Sequence, residues 1–369
     1  MRRDKAIDSI RAKDVGTRVV VVNSYERSNS GLEQRESQSR KEMSMEKQSA
    51  EEAVPENKLQ YFPISFFASV MGVSGLAIAV ERYEQVFKLN SRIGLILLIA
   101  AYLVFVAVTI TYSLKIGKHF SAVKSEFNHP VKANFFPAFS ISLLLLSVGT
   151  AGYQGKLAYY LFIIGAAVHF IFTIIMISRW ITQKYQILQL NPAWFIPVVG
   201  NIIIPIAGIK FVNIEICWFF FSLGLFFWLI LFTLIFYRIV FHDPMPKQLF
   251  PTLFILIAPP SVAFIAYTKI AGHMDSFSRF LLYIAWFFVL LLLSMTRYFL
   301  KLDFNISWWA YTFPLSAVTI ASILAFEQLK YPLFGWIATG LLILTSLVIV
   351  VVILKTIMAI LHNKVFVPE

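Results

Sequence analysis

The sequence predicts an all-α polytopic membrane protein with ten transmembrane helices, built as five helical hairpins around a central pore. Of its 369 residues, 58% are hydrophobic and only 14% are charged, whereas soluble domains carry about 25% charged residues. Apolar stretches of about 20 residues, enough to cross a bilayer, recur from residue 62 onward. The distribution of proline among these stretches then predicts which helices line the pore.

Ten apolar stretches define the predicted membrane domain, residues 59–365, and a polar region precedes it. Residues 1–58 mix charges of both signs with Ser, Gln and Glu, a composition that predicts a disordered cytoplasmic tail. The ten predicted spans cover residues 62–80, 93–114, 133–153, 157–177, 193–209, 216–237, 252–268, 280–296, 306–326 and 333–354.

Loop lengths predict the hairpins. The links between spans three and four, five and six, and nine and ten are only a few residues long, so each pair is expected to fold back on itself. Longer links, such as 115–132 and 238–251, follow even-numbered spans. Each hairpin therefore pairs an odd-numbered helix with the even-numbered helix that follows it.

Proline falls in the odd-numbered stretches and avoids the interiors of the even-numbered ones. Proline removes a backbone donor and kinks a helix, and lipid tolerates this only where protein or a wet cavity satisfies the freed carbonyl groups. We therefore expect bent odd-numbered helices around a shared pore and smooth even-numbered helices outside them. The prolines concerned are Pro63, Pro137, Pro197, Pro205, Pro259, Pro260 and Pro314.

Small polar residues at helical spacing in the odd-numbered stretches are candidates for the pore wall. Close packing between membrane helices is an open alternative, since Ser, Thr and Gly let helices approach one another. An uncharged lumen with exposed helix N-termini would favour weak binding of anions. The candidates are Ser65, Ser69, Gly72, Ser140, Ser147, Thr150, Asn201, Pro260, Thr312, Ser316 and Thr319.

The predicted spans contain no Asp, Glu, Lys or Arg. Ion-coupled carriers usually place an ionisable group within the membrane, and His169 is the only such candidate near neutral pH. Catalytic motifs and metal-ligand spacings are absent from the sequence, and Cys217 is its single cysteine. The sequence therefore predicts neither an enzyme nor a bound cofactor or metal.

The net charge of +12 is explained by membrane topology without any binding of nucleic acid. Lys and Arg are concentrated in the N-terminal region and in the loops after even-numbered spans. The positive-inside rule then places both termini in the cytoplasm. The predicted location is the inner (plasma) membrane, with the lipid bilayer around the even-numbered helices.

Five stretches carry a resemblance to a known family: residues 62–75 (FPISFFASVMGVSG), 126–131 (EFNHPV), 191–201 (NPAWFIPVVGN), 258–267 (APPSVAFIAY) and 308–314 (WWAYTFP). Their order and their placement at or just before odd-numbered helices make the match fairly specific. The membrane region resembles the tellurite-resistance/C4-dicarboxylate transporter family, which includes bacterial tellurite-resistance protein A and plant slow-type anion channels.

This resemblance implies homotrimers of ten-helix subunits, each with its own pore, and a pore-plugging phenylalanine on the ninth helix, at Phe313. The expected function is a passive channel or transporter for small inorganic anions or C4-dicarboxylates, gated by Phe313. A proton-coupled dicarboxylate (malate) carrier and a tellurite-resistance efflux protein are alternatives that would use His169. A third alternative is a signal-sensing membrane module that uses residues 1–58.

Overall fold

The computed structural model describes residues 58–362 and 365–366. Apart from residue 58, the predicted disordered tail lies outside this part, and disorder there stays a prediction. Every regular element in the described ranges is a helix. The α-helices are α1 (Phe67–Val86), α2 (Ile93–Lys118), α3 (Phe120–Asn128), α4 (Ala138–Thr150), α5 (Gly155–Thr182), α6 (Phe195–Val199), α7 (Ile204–Gly208), α8 (Ile214–Phe241), α9 (Ala258–Ala271), α10 (Ser276–Ser294), α11 (Thr296–Phe299), α12 (Thr312–Leu329) and α13 (Pro332–Leu361).

Nine helices within the described residues are long and apolar enough to cross a membrane. The polytopic helical membrane fold is therefore confirmed. The remaining predicted span, 193–209, corresponds to the shorter segment Pro192–Gly208, which is broken into α6, a 3₁₀ turn at Gly200–Ile203 and α7. Pro197 and Pro205 in this segment interrupt regular α-helix, so a tenth spanning helix stays a prediction.

The helices divide into a buried set and an exposed set. In the odd-numbered spans that include α1, α4, α9 and α12, 72–83% of an apolar 18-residue window is buried, against 22–39% of the corresponding window in α2, α5, α8, α10 and α13. The α6–α7 segment is also almost wholly buried. We call α1, α4, α6–α7, α9 and α12 the inner helices, and α2, α5, α8, α10 and α13 the outer helices. This division is the one that the proline pattern predicts.

The inner helices form a closed ring. Helix α1 contacts α4 on one side and α12 on the other, and α9 contacts α12 and the α6–α7 segment, which in turn contacts α4. Each outer helix packs on the inner helix that precedes it in the chain. Each outer helix thus pairs with the inner segment before it, and five membrane-spanning hairpins stay a prediction because the third inner segment is short and broken.

Most prolines of the inner helices lie where a 3₁₀ segment passes into α-helix. Short 3₁₀ segments, such as Ile64–Phe66, Lys132–Phe135 and Ile306–Tyr311, precede the α-helices. Pro137 is the N-cap residue of α4, and Pro314 is the third residue of α12. Proline has no amide hydrogen to donate to the preceding turn, so the change from 3₁₀ to α geometry falls where a regular backbone hydrogen bond is missing. The proline-containing helices are therefore irregular near their starts, and a bend at each proline stays a prediction.

Several helices are longer than the predicted spans, and the added turns carry charge. Glu84, Lys115 and Arg238 lie within α1, α2 and α8, and all three are buried. The expectation of charge-free helices holds only for the shorter predicted spans. A helix rises about 1.5 Å per residue, so α8, at 28 residues, extends past the hydrocarbon core of about 30 Å.

Candidate functional site

A large cavity opens where the inner helices begin. Its volume is about 1390 Å³, and all five inner helices, or the 3₁₀ segments before them, contribute to its wall. Among the described residues, the wall reaches no further along α12 than Pro314. The wall residues farthest along each inner segment are Met71, Ile141, Ile203, Val262 and Pro314.

Phe313 lies at this inner end of the cavity. It is the second residue of α12, its side chain is 8% exposed, and it forms part of the cavity wall. Most of the surrounding wall is apolar, and Met, Ile, Val and Phe side chains of the inner helices line the space. An aromatic ring at the end of such a cavity can block permeation by its bulk and by excluding water.

The start of α12 is held closely against α1 by glycine. A Cβ added to Gly72 would lie 2.7 Å from Thr312 Cβ, and one added to Gly75 would lie 2.8 Å from Ser316 Cβ and 3.5 Å from Phe313 Cδ2. Only a residue without a side chain permits this approach. The predicted pore candidates Gly72, Thr312 and Ser316 therefore lie together in the α1–α12 contact that positions Phe313.

Other predicted hydroxyl residues face the outer helices. Thr319 Oγ1 lies 2.9 Å from Thr345 Oγ1 of α13. Ser147 Oγ donates to Ala158 O of α5 at 2.7 Å, and the Thr150 hydroxyl lies 2.6 Å from Tyr102 OH of α2. These contacts join the two members of a hairpin or neighbouring hairpins, which is the packing alternative that the sequence leaves open.

His169 and Asn201 belong to a buried polar network on α4, α5 and the broken segment. Ser140 Oγ lies 2.9 Å from His169 Nδ1, and His169 is fully buried. Asn201 Nδ2 donates to Thr173 Oγ1 and to Val198 O, both at 2.8 Å. The network connects α5 with the irregular backbone between α6 and α7, where membrane helices need side-chain partners.

The remaining predicted candidates divide between the cavity and the helix starts. Ser65 lies in the cavity wall beside Pro63. Ser69 is buried, and its hydroxyl donates to Phe66 O at 2.7 Å. Pro260 is buried in the first turn of α9, and the neighbouring Pro259 forms part of the wall. The described residues contain no group of three potential metal ligands.

Residues 61–357 match the SLAC1 family model, which is described as a voltage-dependent anion channel. This match covers well over half of the chain. The chain belongs to the SLAC1 family.

Known relatives of this SLAC1-family chain include plant and microbial proteins. It is 33% identical over 286 residues to the S-type anion channel SLAH2 of Arabidopsis thaliana, a match over 73% of this chain and 54% of that protein. An uncharacterized transporter of Methanocaldococcus jannaschii is 27% identical, with 84% and 97% covered. A tellurite resistance protein TehA homolog of Haemophilus influenzae is 22% identical, with 69% and 79% covered. The chain spans about half to two thirds of the length of the plant channels it matches.

The SLAC1-family chain also contains a buried ion pair that the sequence did not predict. Lys115 Nζ at the end of α2 donates to Glu126 Oε2 of α3 and to Phe62 O, both at 2.8 Å. Tyr112 OH donates to the same carboxylate at 3.0 Å, and Ile64 N donates to Glu126 Oε1 at 2.7 Å. Glu126 thus caps the start of the first inner segment. The one sequence signal for Glu126 was its position in the EFNHPV stretch, residues 126–131.

The cavity mouth combines charges of both signs. Lys115, Lys132 and Lys355 contribute to the wall together with Glu126 and Asp303. Because the inner helices begin at this cavity, their N-termini direct positive partial charge towards it. These N-termini make the cavity more favourable for an anion than for a cation.

Proposed function

We propose that the protein is a passive transmembrane channel or transporter for small inorganic anions or C4-dicarboxylates, with Phe313 as its gate. The observation that carries this proposal is the closed ring of inner helices around a cavity that ends at Phe313. Five helix N-termini around this cavity attract anions without binding them tightly. The names of the plant S-type anion channels support the same function.

The proposal assigns the pore to the axis of the inner ring. The cavity wall reaches no further along α12 than Pro314, and we interpret this conformation as the closed one. Opening requires the Phe313 ring to leave the axis.

Ion-replacement recordings on purified protein in planar bilayers test this function, with wild type and Phe313→Ala recorded side by side. Removing the ring leaves a wider and less hydrophobic constriction, so the variant is expected to carry a larger anion current. The reversal potential should follow the anion gradient when the cation is replaced. Equal conductance of the two proteins, both correctly folded in the membrane, would exclude Phe313 as the gate.

A proton-coupled dicarboxylate carrier or tellurite-resistance efflux protein is the second candidate, and His169 is its only predicted coupling residue within the spans. The complete burial of His169 and its hydrogen bond with Ser140 favour a structural role. Transport that requires a proton gradient and is lost in His169→Gln would favour the carrier over the channel.

The proposal also covers the membrane location, the oligomeric state and the orientation of the protein. We place it in the plasma (inner) membrane as a homotrimer with one pore per subunit and with both termini in the cytoplasm, so that the cavity opens to the cytoplasm. The loop distribution of Lys and Arg supports this orientation. Light scattering of the purified protein measures the oligomeric state, and deletion of residues 1–57 tests the sensing role of the tail.

A further inference from the structure

The opposite ends of the inner helices converge on a second polar region, distant from the cavity. Four of the five inner segments contribute charged side chains: Glu81 and Arg82 from α1, Lys210 just after α7, Lys269 from α9 and Glu327 from α12. The turn that follows α4 adds backbone beside them. We call this group of five charged residues the distal rim.

Direct contacts hold the distal rim together. Arg82 Nη2 forms an ion pair with Glu327 Oε2, which connects α1 with α12. Lys269 Nζ donates to Ile206 O of α7 at 3.1 Å. A Cβ added to Gly152, in the turn after α4, would lie 3.6 Å from Glu81 Oε1. All five inner helices therefore meet around these polar groups.

The backbone at this end of the ring disfavours anions. The C-terminus of an α-helix carries a partial charge of about −0.5, and the inner helices all end at the distal rim because they all begin at the cavity. Without compensating side chains, an anion crossing the ring would meet a repulsive potential here. Arg82, Lys210 and Lys269 supply the opposite charge.

The two lysines differ from the arginine in their availability. Arg82 is paired with Glu327. Lys210 is exposed, and Lys269 is exposed as a residue although its Nζ is partly buried and donates one of its three hydrogens to Ile206 O. The nearby Glu84 is buried, and its Oε1 accepts hydrogen bonds from Ile93 N and Gly94 N at the start of α2. Those two amide groups occupy one of its oxygens. Within the rim, Glu81 lies near Lys210 and Glu327 is paired with Arg82, so three cations stand against two carboxylates and the five rim residues carry a net charge of +1.

We propose that Lys210 and Lys269, positioned by the Arg82–Glu327 ion pair, form a weak anion-binding site at the distal mouth of the pore. This inference rests on the proposed channel function. Exposed ammonium groups are screened by salt, so the site concentrates small anions near the mouth without retaining them. Weak binding of this kind is compatible with rapid conduction.

Single-channel conductance tests the site, with Lys210→Gln/Lys269→Gln compared with Lys156→Gln/Arg279→Gln. The control pair removes two exposed cations from the outer helices α5 and α10 at the same end of the ring. The rim variant should lose about half or more of its anion conductance at 10 mM chloride and much less at 1 M chloride, because the Debye length falls from about 30 Å to about 3 Å. Equal conductance of the two double variants at 10 mM would overturn the proposal.

A second measurement, the rate of thiol modification, tests the distal site without recording a current. Gly152→Cys places a thiol beside Glu81, in otherwise open space, and the native Cys217 is buried. The rates of modification by an anionic and a cationic methanethiosulfonate reagent are compared at low ionic strength. The added change Lys210→Gln/Lys269→Gln should lower the anionic-to-cationic rate ratio by about tenfold, since two charges within a Debye length act on both reagents.

The two measurements separate the two proposals. An unchanged rate ratio would overturn the distal site, whatever the protein conducts. A protein that carries no anion current but shows the tenfold fall would retain the electropositive site, and the proposed channel function would be the part that fails.

Discussion

The contact between Gly75 of α1 and Ser316 of α12 determines how closely the helix that carries Phe313 approaches its neighbour. In Gly75→Ala the new methyl group would lie 2.8 Å from Ser316 Cβ and 3.0 Å from Ser316 Oγ. Carbon atoms pack best at about 3.5–4.0 Å, so α12 must move outward by roughly 1 Å. Overpacking of this kind costs about 1–3 kcal/mol.

The displacement should also affect the proposed gate, because the Phe313 ring lies 3.5 Å from the same added methyl position. We expect Gly75→Ala to lower the midpoint of thermal unfolding in detergent and to raise the basal anion current. Gly340→Ala is the matched control. Gly340 lies on the exposed outer helix α13, and a Cβ there meets nothing within 4 Å, so alanine should stabilise the helix by up to about 1 kcal/mol.

A double-mutant cycle with Ser316→Gly isolates the contact. Removing the Ser316 side chain gives the new methyl group room, so Gly75→Ala should cost less in the Ser316→Gly background than in wild type. The difference is the coupling free energy, expected at about 1–3 kcal/mol for residues in contact. Additive effects, or a Gly75→Ala protein with unchanged unfolding midpoint and current, would refute the idea that this contact holds the gate.

The remaining predictions concern the buried polar groups. Glu126→Gln leaves Lys115 buried without its ionic partner, so the free energy of unfolding should fall by about 3–5 kcal/mol, measured by thermal unfolding. The double variant Lys115→Met/Glu126→Leu should recover part of this loss, since apolar replacement of a buried pair is often neutral or better. His169→Gln should retain anion current without a proton gradient, and Ser140→Ala should destabilise the fold by about 1–3 kcal/mol by leaving the imidazole without its partner.

Each of these predictions has an outcome that contradicts it. A Glu126→Gln protein as stable as wild type would mean that the carboxylate is not needed to stabilise the Lys115 ammonium group. Current lost in His169→Gln at wild-type stability would support coupling at that residue. A stable Ser140→Ala protein would show that the hydroxyl–imidazole contact contributes little.

The inner and outer helices could be predicted because proline carries a local physical requirement. A missing amide hydrogen needs either a helix start or a wet, protein-lined surface, and both conditions are met inside the ring. The prolines still did not reveal that they lie after 3₁₀ segments. The distinction depends on backbone torsions over several residues, to which sequence composition is insensitive.

The roles of individual hydroxyl groups could not be predicted, because they depend on which helix lies opposite. Thr319 and Ser147 share the helical spacing expected for a pore wall, but their partners are on α13 and α5. A serine that packs and a serine that lines a lumen have the same sequence signature. Phe313 could be singled out among the phenylalanines only because the surrounding motif WWAYTFP resembles a family motif.

The ion pair of Lys115 and Glu126 escaped prediction for another reason. It depends on α3 folding back under the first inner segment, and the loop that contains it is polar and without repeated spacing. Likewise, the prediction of one continuous fifth span could not anticipate the 3₁₀ turn at Gly200–Ile203. In both places the tertiary partners determine the local structure.

The 3₁₀ segment that precedes Phe313 has a mechanical consequence. A 3₁₀ helix advances about 2.0 Å and 120° per residue, whereas an α-helix advances about 1.5 Å and 100°. Conversion of the six residues Ile306–Tyr311 to α-helix would therefore shorten the segment by about 3 Å and turn Phe313 by about 120° relative to Ile306. A change from 3₁₀ to α geometry in this segment would therefore move the Phe313 side chain from one side of the helix axis to another.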